Sequence, residues 1–198
     1  KISKGKGKGS KKYVNITHHS KFTRRIFNNS SWVQGSRFYG GWWQRIKSEQ
    51  RKRILINNLT TVEIDFSAIH PMLAYARKGL DYWETFDNDP YEIVPVDGIE
   101  DKSVARDIVK QLLLLALNAS DETQLYKAFR SEFNYDLLGE VNFSFKDKVL
   151  AKILNDIRLA HPNIADLICT GAGLELMHID AQIVEYVIKK FLTDDTPI

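Results

Sequence analysis

Three side chains have types and spacings that suit phosphate or metal chemistry. Asp65 lies near the end of residues 61–66, where apolar and acidic side chains alternate with the period of a half-buried strand. Arg106 and Lys110 are four residues apart in an apolar helical pattern and therefore share a helix face. A carboxylate on a rigid strand end can bind a metal ion, and two cations on a helix can bind phosphate groups. We therefore take Asp65, Arg106 and Lys110 as candidate catalytic residues and Asp65 as the candidate metal ligand.

Each of these residues also has a purely structural interpretation. An Asp between a strand and a helix is commonly a turn-former or a helix cap. Arg106 and Lys110 can form a solvated stripe in which Asp107 is the alternating partner. The residues alone leave both interpretations open.

Hydrophobic periodicity predicts the elements that must position these side chains. Ser67 is expected to cap a short helix after the strand that ends at Asp65, and the turn Asn57-Asn58 leads into that strand. Because three Gly lie among aromatic rings, residues 35–46 are interpreted as a loop that grips a backbone. Residues 79–101 are expected to be irregular because Asp89-Pro90 and Pro95 interrupt them. Helices are predicted over residues 21–27, 48–54, 103–118, 121–133, 144–159, 163–168 and 175–192.

The charge of the chain is distributed very unevenly. Residues 1–58 contain 15 Lys or Arg and one acid, Glu49, whereas residues 59–198 contain 13 basic and 24 acidic residues. A basic block interleaved with aromatic rings is typical of a surface that binds a polyanion and stacks on bases. Residues 1–20 are predicted to form a flexible basic arm rich in Lys and Gly; the alternative to a polyanion-binding surface is a disordered Lys-rich tail, favoured for residues 1–12, beside an ordinary aromatic core. The candidate nucleic-acid-binding residues are Arg37, Phe38, Tyr39, Trp42, Trp43, Gln44 and Arg45.

Composition sets outer limits on the class of protein. No stretch approaches eighteen uncharged apolar residues, so no membrane span is predicted. The single cysteine, Cys169, cannot form an internal disulfide, and no signal peptide is recognisable, which favours a reducing cytoplasm. Because the chain begins without Met, we expect it to belong to a longer protein.

Taken in order, several stretches resemble the palm and fingers of family A DNA polymerases and the related single-subunit RNA polymerases. Residues 65–70, Asp-Phe-Ser-Ala-Ile-His, resemble the first catalytic motif, and residues 106–119 match the register of the fingers-helix motif. Residues 35–44 resemble the Gly-Arg element and Gln that hold primer–template, and residues 173–192 resemble the helix before the last catalytic motif. The run Arg-Phe-Tyr-Gly-Gly-Trp-Trp-Gln is similar to a divergent bacterial and mobile-element group.

The resemblance implies a helix-rich α+β fold, with a small antiparallel sheet and packed helices. The palm would comprise residues 30–78 and 173–198, and the helical fingers residues 79–172. It also implies template-directed nucleotidyl transfer with two Mg²⁺ ions, and primer–template and a nucleoside triphosphate as partners. Arg106 and Lys110 would bind the triphosphate, His70 would lie near the sugar and Asn118 near the nascent base pair, while Arg37 and Gln44 would grip primer or template.

The chain departs from the family pattern at three points. Asn118-Ala119 replaces a Tyr-Gly pair, and His70 replaces a Glu, so base-pair checking and sugar preference are open. The second catalytic carboxylate of the family follows the helix at residues 175–192, and His178 and Asp180 do not suit its role because they lie within that helix. We therefore expect a catalytic-core fragment, truncated before the last palm strands and inactive alone.

Two other classes of protein remain open from the sequence. One is a non-catalytic nucleic-acid-binding module that uses the basic aromatic amino-terminal third. The other is a helical interaction protein in which Asp65 is only a helix cap. The sequence does not determine the oligomeric state.

Overall fold

The computed structural model describes residues 2–4, 12–92, 94–139, 141 and 143–194. The chain divides into two units: residues 1–67 together with 177–198, and residues 68–176. The helix-rich α+β class expected from the sequence is confirmed.

The first unit contains three short antiparallel hairpins. They are followed in the chain by the part of helix α7 (Gly173–Thr193) that begins at Met177. In the central hairpin Arg24 lies opposite Tyr39 and Ile26 opposite Arg37, with an irregularity between Ile26 and Phe27. The strands and short helices are β1 (Ile2–Lys4) paired with β2 (Lys12–Val14), a 3-10 helix (His18–Lys21), β3 (Arg24–Phe27) paired with β4 (Gly35–Tyr39), a 3-10 helix (Trp42–Arg45), α1 (Ser48–Arg51), and β5 (Leu55–Ile56) paired with β6 (Leu59–Thr60).

The second unit is helical. Its core is formed by apolar faces of α4 (Lys102–Asn118), α5 (Glu122–Glu132) and α6 (Asp147–Ala160), where Leu112, Leu117, Phe129, Leu154 and Ile157 are fully buried. Burial of such side chains is the main term that stabilises a helical unit. Its elements are α2 (Ile69–Ala76), α3 (Tyr82–Thr85), α4 (Lys102–Asn118), α5 (Glu122–Glu132), a 3-10 helix (Tyr135–Leu138), α6 (Asp147–Ala160), a 3-10 helix (Pro162–Leu167) and the first turn of α7.

Local sequence accounts for the starts of two of these helices. The Asp101 carboxylate accepts hydrogen bonds from the backbone N–H groups of Ser103 and Val104 at the start of α4. Asp121 accepts one from Gln124 at the start of α5. Such caps satisfy backbone donors that have no partner within the helix. The helices predicted in this region are confirmed to within a few residues at each end.

The predicted strand ending at Asp65 is wrong. Residues 61–66 have no regular secondary structure, and Val62 and Ile64 are each 84% exposed. An alternating pattern becomes a strand only when another backbone pairs with it, and among the described residues none pairs with this stretch. The predicted Ser67 cap is also wrong, because Ala68, with φ of 51°, occupies the cap position of α2 without a side-chain hydrogen bond.

Two further predictions in the first unit are wrong. The helix expected over residues 21–27 is largely strand β3, and the loop expected over residues 35–46 contains strand β4 and a 3-10 helix. Pairing between two strands overrides the weak local signal of each. Gly41 has a packing role here, because a Cβ at this position would lie 2.5 Å from the Trp43 ring.

Of the predicted flexible arm, residues 1–20, the structure describes residues 2–4 and 12–20; Lys1 and residues 5–11 lie outside the described residues. The ranges expected for palm and fingers remain predictions. Across the described part of the chain, no helix combines the length and the apolar character that crossing a membrane requires.

Candidate functional site

Arg106 and Lys110 lie on one face of α4, next to a buried tyrosine. The Arg106 guanidinium donates two hydrogen bonds to Oδ2 of Asp89, at 2.7 and 3.3 Å. Its Nε also lies 3.6 Å from the Glu92 carboxylate. The Arg106 Cζ and the Lys110 Nζ lie 5.3 and 5.9 Å from the centre of the Tyr91 ring, within range for cation–π attraction. Two cations therefore share one aromatic surface.

The segment that carries Asp89 is anchored at its backbone. The Tyr82 hydroxyl donates to the Asn88 carbonyl at 3.0 Å, and Nε2 of His161 donates to the Pro90 carbonyl at 2.9 Å. The Tyr91 N–H donates to Oδ1 of Asp89 at 2.8 Å, which forms a local turn. The backbone around Asp89 is thus held in place, while its Oδ2 faces Arg106.

Burial of Tyr91 favours its neutral phenol. Burial, reinforced by the nearby Asp89 carboxylate, raises the pKa of Tyr91 to about 12. The hydrogen bond to Asp89 raises the pKa of Arg106 above its usual value. Lys110 is exposed, whereas the charge of Arg106 is already compensated by the Asp89 carboxylate. A phosphate group that binds Arg106 must compete with Asp89.

Asp65, the candidate metal ligand, lies on the exposed stretch before α2. None of the described residues hydrogen-bonds to its carboxylate, so both of its oxygens are open to solvent. A two-magnesium centre needs several carboxylates at fixed positions. The described residues contain no group of three or more His, Cys, Asp or Glu that could hold a metal ion. Asp65 can contribute one ligand, but the described residues by themselves do not fit a two-magnesium centre.

The two proposed nucleotide-contacting residues both lie in the second unit. His70 is half-buried in the first turn of α2. Asn118 is exposed at the last position of α4, where its Nδ2 donates to the Leu114 carbonyl at 2.7 Å. It packs tightly against Gly173, where an added Cβ would lie 2.3 Å from the Asn118 Oδ1. Asp65 belongs to the first unit and Arg106 and Lys110 to the second, so their convergence on one cleft remains a prediction.

In the first unit, polar side chains connect the β3–β4 hairpin to α7. The Arg25 guanidinium donates to both the carbonyl and the hydroxyl of Ser36, at 3.0 and 2.9 Å, and to the Glu185 carboxylate at 2.6 Å. The Ser36 hydroxyl lies 2.9 Å from Nδ1 of His178. Ser36 is fully buried, so this network satisfies its hydroxyl in the interior.

Arg37 and Gln44 have structural partners in the same unit. The Arg37 guanidinium donates to Oδ2 of Asp180 at 2.7 Å, and both residues line a cavity of about 220 Å³. The Gln44 side chain donates to the Phe38 carbonyl at 2.8 Å and accepts from the Gly40 N–H at 2.9 Å, which closes the end of β4. Arg37 therefore connects the hairpin to α7, and Gln44 holds the end of β4 in shape.

The other candidate nucleic-acid-binding residues differ in accessibility. Tyr39 is 45% exposed and Arg45 is exposed, so both are open to a ligand. Phe38 is half-buried, as are Trp42 and Trp43, which pack edge to face with ring centres 6.1 Å apart. Trp32 is 78% exposed and packs its ring against Phe27. The hairpin and the 3-10 helix that follows it thus present aromatic and basic side chains to solvent.

Several residues on which these arrangements depend have no distinctive signal in the sequence. The position of Asp89 before Pro90 predicts only a break in regular structure, and no motif marks Arg25, Tyr91 or His161. An Asp before Pro is a typical turn signal, and a turn that holds its own Asp also directs that carboxylate. No local signal identifies a partner such as Arg106, because it lies 17 residues away.

Comparisons with known proteins found no relative of this chain. No family model matches the chain, and no match was found among curated protein sequences or among solved structures. The functional argument therefore depends on the residues themselves.

Proposed function

We propose that this chain forms palm and fingers of a template-directed nucleotidyl transferase of the family A type. Its substrates are primer–template and a nucleoside triphosphate. The observation that carries the proposal is the pair of cations on α4, Arg106 and Lys110, whose heads lie over the same Tyr91 ring. A planar fork and a mobile point charge on one helix face suit a chain of phosphate groups.

Asp65 is assigned to the metal in this proposal. Its carboxylate is exposed and accepts no hydrogen bond from the described residues, so it is free to bind Mg²⁺. The reaction requires further carboxylates, which no cluster of the described residues supplies. His70 and Asn118 are assigned to the nucleotide by the family resemblance, which would place His70 near the sugar and Asn118 near the nascent base pair.

Primer extension with Mg²⁺ tests the proposal on the natural polypeptide that contains this chain. Asp65→Asn is expected to reduce template-dependent synthesis by about 10²-fold or more, and Arg106→Gln to raise KM for the nucleotide. Asp136→Asn is the control, because Asp136 is also exposed and lies far along the chain in a 3-10 helix. Synthesis that survives Asp65→Asn at the level of the control would refute the assignment.

A second candidate function is a non-catalytic nucleic-acid-binding module. The exposure of Tyr39, Trp32 and Arg45 on and after the β3–β4 hairpin favours it. Exposed rings and cations bind single strands by stacking and by contacts with phosphates. Salt-sensitive binding of single-stranded nucleic acid, without synthesis in the extension assay, would favour this function over the first.

A further inference from the structure

We propose that Asp89 is an internal competitor that occupies the phosphate position on Arg106 and weakens the binding of every phosphate anion, so that binding requires a polyphosphate long enough to contact Lys110 as well. This inference rests on the proposed function, because it takes Arg106 and Lys110 as the site for the triphosphate. It adds a residue that the sequence pattern did not indicate, in a segment expected to be only an irregular connection.

Asp89 and Arg106 form an ion pair whose geometry a bound phosphate could reproduce. Oδ2 of Asp89 accepts from both Nε and Nη2 of Arg106, at 3.3 and 2.7 Å. Oxygens of a carboxylate and of a phosphate use the same donors of a guanidinium. The Asp89 oxygen therefore lies where a bound phosphate oxygen would lie, and the two compete.

The ion pair of Arg106 and Asp89 is accessible to an anion from solvent. The side chains of Arg106 and Asp89 are only 27% and 28% exposed, so the pair is partly desolvated without being sealed. Arg106 also lines a cavity of about 300 Å³ whose walls include Val94, Pro95 and Ala105. An anion can thus approach the guanidinium, and Asp89 can leave by rotating its side chain while its backbone stays anchored by Tyr82 and His161.

The charges around Arg106 favour a long anion over a short one. A monophosphate that reaches Arg106 replaces one carboxylate contact by a similar one and remains close to the displaced Asp89 and to Glu92. A polyphosphate has more negative charge and enough length to contact Lys110 as well, which stands one helical turn further along the same face. Competition from Asp89 therefore lowers the affinity of every anion for Arg106. Only a polyphosphate regains affinity, through its contact with Lys110.

Calorimetric titration of the chain with inorganic tripolyphosphate and with orthophosphate tests the proposal without any catalytic step. Asp89→Asn is expected to raise the affinities for tripolyphosphate and for orthophosphate by similar factors, about tenfold, because both anions lose the same competing carboxylate, and tripolyphosphate should remain the tighter ligand through Lys110. Asp87→Asn is the matched control, because it removes the same charge two residues away, at an exposed position that has no hydrogen bond to Arg106 among the described residues. It should change either affinity less than about threefold.

Two further variants make the result decisive. Asp89→Ser removes the charge and keeps a hydroxyl that can accept from the Tyr91 N–H, so it protects against loss of the turn. Adding Arg106→Gln to Asp89→Asn should abolish the gain, since the gain acts through the guanidinium.

Affinities equal to those of Asp87→Asn in both folded Asp89 variants, or no polyphosphate binding by any variant, would overturn the proposal. Failure of the proposed function is separately visible. In that case Asp89→Asn would still gain tripolyphosphate affinity, but the natural polypeptide would not extend a primer.

Discussion

The Tyr75 hydroxyl donates a hydrogen bond to Nδ1 of His161 across 3.0 Å, inside the core of the second unit. The direction follows from the other ring nitrogen. Nε2 lies 2.9 Å from the Pro90 carbonyl, which can only accept, so Nε2 carries the proton and Nδ1 accepts. Both residues are fully buried, and the neutral imidazole joins α2 to the segment that carries Asp89.

Acidification is expected to destabilise the second unit through His161. Burial lowers the pKa of His161 below 6.5, although its hydrogen bond to Pro90 opposes the shift. The unfolded chain therefore binds a proton that the folded chain resists, and the free energy of unfolding decreases as pH falls below about 6.5. Tyr75 and Tyr82, which face the ring, have pKa values raised to about 12 and stay neutral throughout. Urea unfolding between about pH 7.5 and pH 5 measures the slope.

His161→Gln provides the comparison for this titration. Its amide can donate to the Pro90 carbonyl but does not titrate, so the variant is expected to be less stable at neutral pH and less sensitive to acid. An equal slope in the wild type and the variant would show that other groups cause the acid sensitivity.

Tyr75→Phe is expected to destabilise the same unit at neutral pH. The substitution keeps the ring, which packs against Tyr82 with centres 5.1 Å apart, but leaves Nδ1 of His161 buried without a donor. An unsatisfied buried acceptor costs about 1–3 kcal/mol. Tyr135→Phe, at a tyrosine that is 45% exposed, is the control and should be nearly neutral. Urea unfolding of both variants at about pH 7.5 measures the difference in the free energy of unfolding. Equal stabilities of the two variants would contradict a structural role for this hydrogen bond.

The ion pair of Arg37 and Asp180 is expected to stabilise the first unit modestly. Its side chains are 32% and 15% exposed, so solvent screens part of the attraction. A double-mutant cycle with Arg37→Gln and Asp180→Asn should give a coupling energy of about 0.5–1.5 kcal/mol in urea unfolding. The more exposed pair of Lys190 and Asp194, on the same helix, should give about 0.3–0.5 kcal/mol. A coupling no larger than in that pair would contradict a stabilising role for the ion pair of Arg37 and Asp180.

Nucleic-acid binding by the hairpin should separate into a stacking part and an ionic part. Tyr39→Ala is expected to weaken single-strand binding by about 1–3 kcal/mol with little change in its salt dependence. Arg45→Gln should reduce the slope of log K against log salt by about 0.7. Tyr135→Ala and Lys127→Gln are the matched controls in the second unit, since Tyr135 has the same 45% exposure as Tyr39 and Lys127 is exposed. Fluorescence anisotropy at several salt concentrations measures both effects, and equal losses in the controls would contradict a binding surface on the hairpin.

Local sequence patterns are enough to predict the three long helices of the second unit. Contacts between residues three and four apart, and caps such as Asp101 and Asp121, are encoded within a few positions, so α4, α5 and α6 could be predicted nearly to their ends. The shared face of Arg106 and Lys110 follows from the same local spacing.

Tertiary structure alone decided which strands form and which charges are paired. Strand β3 exists because β4 lies beside it, whereas residues 61–66 have the alternating pattern and no described partner. Arg106 pairs with Asp89 across 17 residues, Tyr75 with His161 across 86, and Arg37 with Asp180 across 143. A periodic pattern predicts which residues share a face of one helix or strand. Hydrogen bonds between residues far apart in sequence depend on how the intervening loops are closed, and no local pattern predicts that closure.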